Sequence, residues 1–118
     1  MDFKKNIPIY LQIIDKLKLD ISLGLIKPGD KLMSTRELSA KLKVNPNTIS
    51  RVYKELELEN IVFTRRGMGT FVVEDEKILK NIKEKMANEI IIKFIEDLKK
   101  LNISIDEAIG IIKNMEEK

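Results

Sequence analysis

The stretch from Asn47 to Lys54 places side chains that can bind nucleic-acid bases at helical spacing. At about 100° per residue, Asn47, Arg51 and Lys54 share one face, with Ser50 at its flank. An amide can form two hydrogen bonds with adenine, and a guanidinium two with guanine. The pattern predicts a helix whose polar face contacts bases, but an ordinary amphipathic helix with a solvated polar face has the same pattern. The face predicted to be buried consists of Ile49, Val52, Tyr53 and Leu56.

Charge along this third predicted helix indicates which of its halves would face a polyanion. Glu55, Glu57 and Glu59 lie in the second half, where they would repel phosphates. At the other end, Asn45 is a favoured N-cap residue and Pro46 suits the first helical position. We therefore expect the N-terminal half of the helix to present its polar face to DNA, as helix-turn-helix proteins do.

A second basic candidate follows the helix. Two β-prone runs within residues 61–73 flank a loop that contains Gly67 and Gly69, which predicts a β-hairpin. Glycine allows a positive φ and a close approach to another surface. Arg65 and Arg66 beside this slim loop suit a phosphate contact or insertion into a minor groove. A plain tight turn with solvated arginines is the alternative.

The remaining predicted elements position these two candidates. A first helix runs from near Pro8 to Gly24, and Ser34 with Glu37 forms a capping box that begins a second helix. Arg36, in the first turn of that helix, can reach DNA or form a surface salt bridge. Three helices followed by a hairpin predict a winged helix-turn-helix. The whole chain is expected to be mainly α with this small hairpin, ending in a two-helix C-terminal tail.

Composition narrows the classes of function. The 118 residues include no Cys and no His, so thiolate metal sites, the usual zinc ligand and any His-centred triad are excluded. We expect that the protein is not an enzyme and that it binds no cofactor and no metal ion. The N-terminus does not resemble a signal peptide, and no apolar run approaches the roughly 20 residues of a membrane span. The expected location is the cytoplasm, which suits a Cys-free chain, with no membrane partner.

Charge is unevenly distributed along the chain. Residues 1–74 hold 13 basic and 9 acidic side chains, whereas residues 75–118 hold 9 and 10. Only the first part carries a net positive charge that would attract a polyanion. The predicted division is a DNA-binding winged helix over residues 1–74 and a helical dimerisation tail over residues 75–118.

The tail carries a long apolar stripe that must be covered. Its members recur every three or four residues until Asn102, after which Ser104 and Glu107 form a second capping box. The stripe could pack against other parts of the same chain, but the short last helix is too small to cover it. This favours a homodimer. The predicted interface residues are Leu79, Ile82, Met86, Ile90, Phe94, Leu98, Leu101, Ile109 and Ile112.

Four spaced motifs resemble the signature of GntR-family regulators. They are residues 24–39, 44–49, 53–57 and 64–72, and the resemblance covers residues 8–73. The short tail is most similar to the YtrA-like subfamily. The resemblance implies a homodimeric repressor that binds a palindromic operator. The third helix would be the recognition helix in the major groove, and the hairpin would be the wing at the minor groove or backbone. The implied partners are double-stranded operator DNA and a second copy, with an unidentified small-molecule effector as a further option.

The same resemblance carries DNA-binding roles onto particular residues. Pro46 and Ser50 stand where many other members have Arg, so base contacts of those branches do not transfer. An assembly module, the competing hypothesis, would need large apolar residues on the polar face of the third helix. The predicted DNA-binding set is Thr35, Arg36, Asn45, Asn47, Thr48, Ser50, Arg51, Lys54, Arg65, Arg66, Gly67 and Gly69.

Overall fold

The computed structural model describes residues 1–116 and forms two compact units, Met1–Lys83 (the first unit) and Glu84–Lys118 (the second unit). The mainly helical fold with a small hairpin is confirmed. In chain order the elements are α1 (Ile9–Ser22), α2 (Thr35–Leu42), α3 (Pro46–Leu58), β1 (Val62–Arg65), β2 (Gly69–Val72), α4 (Glu76–Lys100) and α5 (Ile105–Glu116).

Helix α1 begins one residue later than its proline. Pro8 is the N-cap, with an extended ψ of 135°, and the first helical residue is Ile9. Beyond the last turn, Gly24 adopts a φ of 75°, a left-handed conformation that glycine takes without steric cost. The inward face of α1 is buried at Ile13, Ile14 and Ile21.

Local hydrogen bonds fix where α2 and α3 begin. Ser34 accepts from the Glu37 amide at 3.1 Å while Glu37 accepts from the Ser34 amide at 3.2 Å, so the predicted capping box is complete. Lys43, at a φ of 57°, turns the chain, and Asn45 then caps α3. Both α1 and α2 pack against α3. The predicted inward face of α3 is confirmed as buried at Ile49, Val52, Tyr53 and Leu56.

The two strands pair in antiparallel register, and a third segment joins their edge. Val62 lies opposite Val72 and Arg65 opposite Gly69. Lys31 forms a bridge with Phe71, and the Leu32 amide donates to the Thr70 carbonyl at 2.8 Å. This single bridge ties the segment before α2 to the hairpin.

The two tail helices begin at side-chain caps of different completeness. Asp75 accepts from the Lys77 amide at 3.0 Å at the start of α4. Ser104 accepts from the Glu107 amide at 3.1 Å before α5. Within residues 1–116 the return bond from Glu107 is not formed, so only half of the second predicted capping box is present. Between the helices, Asn102 adopts a φ of 56° and ends the first of them.

Candidate nucleic-acid interface

The first turn of α3 is capped by the side chain of Asn45. The Asn45 side-chain oxygen accepts a hydrogen bond from the Asn47 amide at 2.8 Å. This bond occupies the oxygen of Asn45 but leaves its NH2 group able to donate. Asn47 is exposed, while Thr48 is half-buried. The first turn therefore presents amide groups beside the positive end of the helix dipole, which favours a negatively charged ligand.

The polar face of α3 is exposed along its length. Asn47, Ser50, Arg51 and Lys54 are all exposed, and the apolar residues opposite them lie in the core. Because the buried face fixes the rotation of the helix, the direction of the polar face is fixed as well. The structure thus brings these four predicted residues together on one surface.

Arg51 has a partner that the sequence analysis missed. Its guanidinium carbon lies over the Tyr10 ring, 3.6 Å from the ring centroid, a cation–π contact between α3 and α1. Tyr10 is half-buried in the first turn of α1. The two residues are 41 positions apart, and Tyr10 lies outside the apolar stripe of its helix, so no local pattern indicated the pair.

The two predicted DNA-binding residues of α2, Thr35 and Arg36, lie in its first turn. Arg36 is exposed, and within residues 1–116 it forms no ion pair, so the surface salt bridge considered as its alternative role is not made. Thr35 is half-buried. Hydrogen bonds with the Ser34 backbone and side chain lower the pKa of the neighbouring Glu37 carboxyl, and Lys31 adds a smaller lowering. Glu37 therefore stays ionised and keeps the capping box intact.

The hairpin loop, here called the wing, is narrow and exposed at its tip. Gly67 and Gly69 adopt φ values of 77° and 123°, and the Met68 amide donates to the Arg65 carbonyl at 2.9 Å. The Arg65 guanidinium carbon lies 5.6 Å from the Phe63 ring centroid, while Arg66 is exposed. Both predicted arginines therefore sit beside a tight turn.

Lys31 is a second residue, after Tyr10, that the sequence analysis missed. A Cβ atom added at Gly69 would lie 2.7 Å from the Lys31 Cε atom, so the lysine side chain crosses directly over this glycine. Gly69 consequently has two structural roles. It adopts a positive φ, and its lack of a side chain leaves room for Lys31. The position of Lys31 depends on its bridge with Phe71, which lies far from it in the sequence, so no local pattern indicated it.

Two hydrogen bonds tie α3 to the elements around it. The Tyr53 hydroxyl donates to the Met33 carbonyl, and the Thr64 hydroxyl donates to Glu57 at 3.4 Å. Burial, with a smaller contribution from Glu37, raises the pKa of Tyr53 to about 12, so the phenol remains a donor at neutral pH. In the described part of the chain, the predicted site residues of α2, α3 and the wing form no hydrogen bonds between these elements.

Most of the predicted dimerisation residues are not fully covered by their own chain. Ile90 is 70% exposed and Leu101 69% exposed. Leu79, Met86 and Leu98 are half-buried. Ile82 belongs to the first unit and is only 5% exposed, so its burial needs no second copy. The exposed members of the predicted set are Ile90, Phe94, Leu101, Ile109 and Ile112.

Two other features are absent from residues 1–116. No group of three or more acidic, His or Cys side chains is placed to hold a metal ion there. The same residues contain no helix with the length and apolar character that crossing a membrane requires.

Comparison with known sequences gives a consistent match. The model of the family described as bacterial regulatory proteins, gntR family, matches residues 9–72. The chain is 42% identical over 115 residues to the HTH-type transcriptional regulator YhcF of Bacillus subtilis, covering 98% of this chain and 95% of YhcF. It is 49% identical over 77 residues to the HTH-type transcriptional repressor YtrA of the same organism, covering 65% of this chain and 59% of YtrA.

Solved structures agree with the sequence comparison. A GntR family transcriptional regulator from Listeria monocytogenes has a TM-score of 0.88 at 38% identity, covering 95% of this chain and 98% of that one. The DNA-binding domain of AraR, solved in complex with operator ORR3, has a TM-score of 0.55 at 27% identity, covering 62% and 86%. The protein therefore belongs to the gntR family of bacterial regulatory proteins, as a DNA-binding transcriptional regulator and not an enzyme.

Proposed function

We propose that this regulator binds a palindromic operator as a homodimer and represses transcription from it. In this proposal α3 enters the major groove and the wing contacts the minor groove or the backbone. The observation that carries it is the exposed polar face of α3, with Asn47 and Arg51 one turn apart on a helix whose other face is fully buried. The relative YtrA of Bacillus subtilis is a transcriptional repressor, which supports repression as the activity.

The charges of α3 support docking by its N-terminal half. Asn47 and Arg51 lie in that half, whereas the acidic residues lie beyond it. Two of these acids are engaged within the protein, because Lys18 contacts Glu59 at 3.0 Å and Thr64 contacts Glu57 at 3.4 Å. The half of the helix that carries Arg51 and no acidic residue is thus the half proposed to approach the phosphates.

The wing supports a second contact. Its tip is slim because Gly67 and Gly69 carry no side chain, and it holds Arg65 and Arg66 beside the turn. Lys31 adds a cation at Gly69. Three basic side chains around a narrow loop suit phosphate contacts or a narrow minor groove, where the negative potential is enhanced.

Exposed apolar surface on the second unit supports the homodimer. Ala108 is the one fully buried apolar residue among those described beyond position 83, although this segment is rich in Ile. Exposed apolar side chains in such number favour an interaction site. A second copy of the chain would cover this surface, and the resulting dimer would match the two-fold symmetry of a palindromic operator. The large exposed side chains are Ile90, Ile91, Ile92, Phe94, Leu101, Ile105, Ile109, Ile111, Ile112 and Met115.

A cleft in the first unit supports a site for a small-molecule effector. It has a volume of about 560 Å³ and lies between α1, α2 and the segment before α2. Ligand sites commonly have volumes of roughly 300–1,000 Å³. Tyr53 of α3 lines this cleft together with Leu17, so a ligand there would touch the helix proposed to enter the groove. Thermal-shift screening of metabolites against the wild type and Leu17→Trp, which narrows the cleft, tests this assignment.

Selection of bound sequences from a random duplex DNA library, at two salt concentrations, tests the proposed function. We expect one palindrome to be enriched at both salts, because base contacts give discrimination of typically about 10³-fold or more over other sequences. Arg36→Ala should cost about 1–3 kcal/mol on that site if Arg36 contacts a base. Lys80→Ala, at an exposed position of α4 outside the proposed surface, is the matched control. Binding that vanishes at high salt without enrichment would mean contact with phosphates only and would contradict the proposal.

A further inference from the structure

The stacking of Arg51 on Tyr10 connects α1 to the polar face of α3. The guanidinium carbon is 3.6 Å from the ring centroid, so the cation lies over the face of the ring. Arg51 stands one turn after Asn47 and three residues before Lys54, in the middle of the proposed DNA-contacting face. The contact therefore reaches the site from an element that the proposed DNA contacts do not otherwise use.

Stacking leaves the hydrogen-bonding capacity of an arginine intact. A guanidinium is planar, and its N–H donors point outward in the plane while the faces are free to stack. A flat contact on Tyr10 consequently holds the side chain in one direction without consuming a donor. Because the long side chain is ordered before DNA arrives, less conformational entropy is lost on binding.

The backbone that carries Tyr10 is held by hydrogen bonds to the segment that precedes it. The Gln12 side chain accepts from the Lys4 amide at 2.8 Å and donates to the carbonyls of Lys4 at 2.9 Å and Ile7 at 2.8 Å. These three bonds tie the N-terminal residues to the first turns of α1. Tyr10 lies between the two ends of this clasp, so its backbone has a fixed position.

A more ordinary partner for Arg51 is present in the sequence but is not used. Glu55 lies four residues after Arg51, the spacing of a helical ion pair. Within residues 1–116 Arg51 nevertheless forms no salt bridge, and its close contact is with Tyr10. The arrangement keeps the full positive charge of Arg51 available to a base or a phosphate.

We propose that Tyr10 is a positioning residue for operator recognition, because it aims the Arg51 donors at a base edge in the major groove. The inference rests on the proposed function, since it takes the polar face of α3 as the surface that enters the groove. Selectivity at the base pair that Arg51 contacts then depends on a residue of α1. Tyr10 itself need not touch DNA.

A double-mutant cycle on the selected operator tests this role. The proteins are the full chain as wild type, Tyr10→Leu, Arg51→Ala and the double variant, with Tyr10→Phe as the conservative control. We expect Tyr10→Leu to weaken binding by about two- to fivefold, the range that an exposed cation–π contact supports. Tyr10→Phe should stay within about twofold of the wild type, because Phe retains the ring face. Tyr10→Leu should add nothing once Arg51 is absent.

Library selection separates positioning from a merely structural effect. If Tyr10 aims Arg51, the Tyr10→Leu and Arg51→Ala proteins relax their preference at the same base pair. Equal effects of Tyr10→Leu in both backgrounds, or an unchanged base preference, would overturn the inference. Thermal unfolding checks that Tyr10→Leu is folded, and Tyr10→Gln replaces it if it is not.

A measurement without DNA distinguishes this inference from the proposed function. The ring current of Tyr10 should shift the Arg51 side-chain protons upfield in the NMR spectrum of the free protein, and Tyr10→Leu should abolish the shift. A wild type that shows the shift but enriches no operator would contradict the proposed function, and the inference falls with it. A wild type that enriches an operator while the cycle is additive would contradict the role of Tyr10 alone.

Discussion

The first and second units differ in the burial of their apolar residues: the first unit buries many of them, whereas the second leaves most of them exposed. In Met1–Lys83 the large side chains Ile13, Ile49, Val52 and Leu56 are at most 1% exposed. Beyond position 83 the exposed residues include a run of three isoleucines from Ile90 to Ile92. The first unit has a core of its own, whereas the second unit leaves its apolar surface uncovered by the chain itself.

This difference assigns different tasks to similar residue types. Burial within one chain stabilises the first unit and fixes the direction of α3, so the polar face is set before DNA arrives. Apolar side chains that remain exposed in the second unit contribute little until another surface covers them. Stability of the second unit should therefore depend on protein concentration, and stability of the first should depend on it much less.

The sharpest test of this comparison is a pair of truncations, one in each unit. Leu56→Ala removes a fully buried side chain of α3 and should lower the free energy of unfolding by about 2–5 kcal/mol. Ile90→Ala removes a side chain that is 70% exposed and should change the unfolding of dilute protein by less than about 0.5 kcal/mol. Urea denaturation of both variants at low concentration measures the contrast. Similar losses in the two variants would contradict the division of tasks.

Introducing a charge on the exposed surface of α4 should disrupt association. Phe94→Asp replaces an exposed aromatic side chain in the centre of the proposed dimer surface, and burying an unpaired carboxylate there would be costly. We expect the dimer to weaken by about tenfold or more, because burial of a Phe is worth about 1.5–3 kcal/mol. Light scattering over a dilution series measures this. Asn88→Asp, at another exposed position of α4, is the matched control and should stay dimeric.

Most of the architecture could be predicted because its signals are local. Ser34 with Glu37 and Asn45 with Pro46 mark two helix starts, and both caps are formed in the structure. A capping residue bonds to an amide two or three positions away, so sequence spacing alone identifies it. The second capping box was only half right, because a reciprocal bond also needs the Glu107 side chain to turn back, and spacing does not determine its rotamer.

Contacts between distant elements were beyond what local patterns can show. Tyr10 meets Arg51 across α1 and α3, and Lys31 crosses Gly69 between a loop and the hairpin. Each contact depends on how whole elements pack, which a period of 3.6 or 2 does not encode. The predicted site residues were found one by one from their types, whereas the residues that support them appeared only with the fold. Their roles in binding stay predictions until the experiments above.

Glycine substitutions sharpen the comparison because the two units use glycine differently. Gly69→Ala should lower the free energy of unfolding by about 1–3 kcal/mol, since its φ is 123° and Lys31 would have to move. Gly110 lies within helix α5 with open space at its Cβ position. Gly110→Ala should therefore stabilise by about 0.5–1 kcal/mol. Thermal unfolding distinguishes the signs. A destabilised Gly110→Ala would indicate that a second helix approaches closely at this position.

Alkaline pH should weaken the first unit through Tyr53. The pKa of this phenol is raised to about 12 in the folded state, chiefly by burial, so the folded protein holds the proton more tightly than the unfolded chain does. The resulting stability is fully present below about pH 10 and is lost as the pH rises towards 12. Tyr53→Phe should cost about 1 kcal/mol near neutral pH by removing the bond to Met33. The difference between the two proteins should narrow above pH 10, measured by urea unfolding at each pH. A constant difference up to pH 12 would contradict the role of the phenol.

The smallest expected effect separates the two caps. Ser34→Ala removes an oxygen that belongs to a complete reciprocal cap and should cost about 1 kcal/mol. Ser104→Ala removes one bond before α5 and should cost closer to 0.5 kcal/mol, the lower end of the range for caps. Replacing either serine by Asp retains a capping oxygen, so both Asp variants should recover the loss. If Ser104→Ala cost as much as Ser34→Ala, the start of α5 would be held as firmly as that of α2. The second unit would then have a well-defined helix end before any partner covered its apolar face.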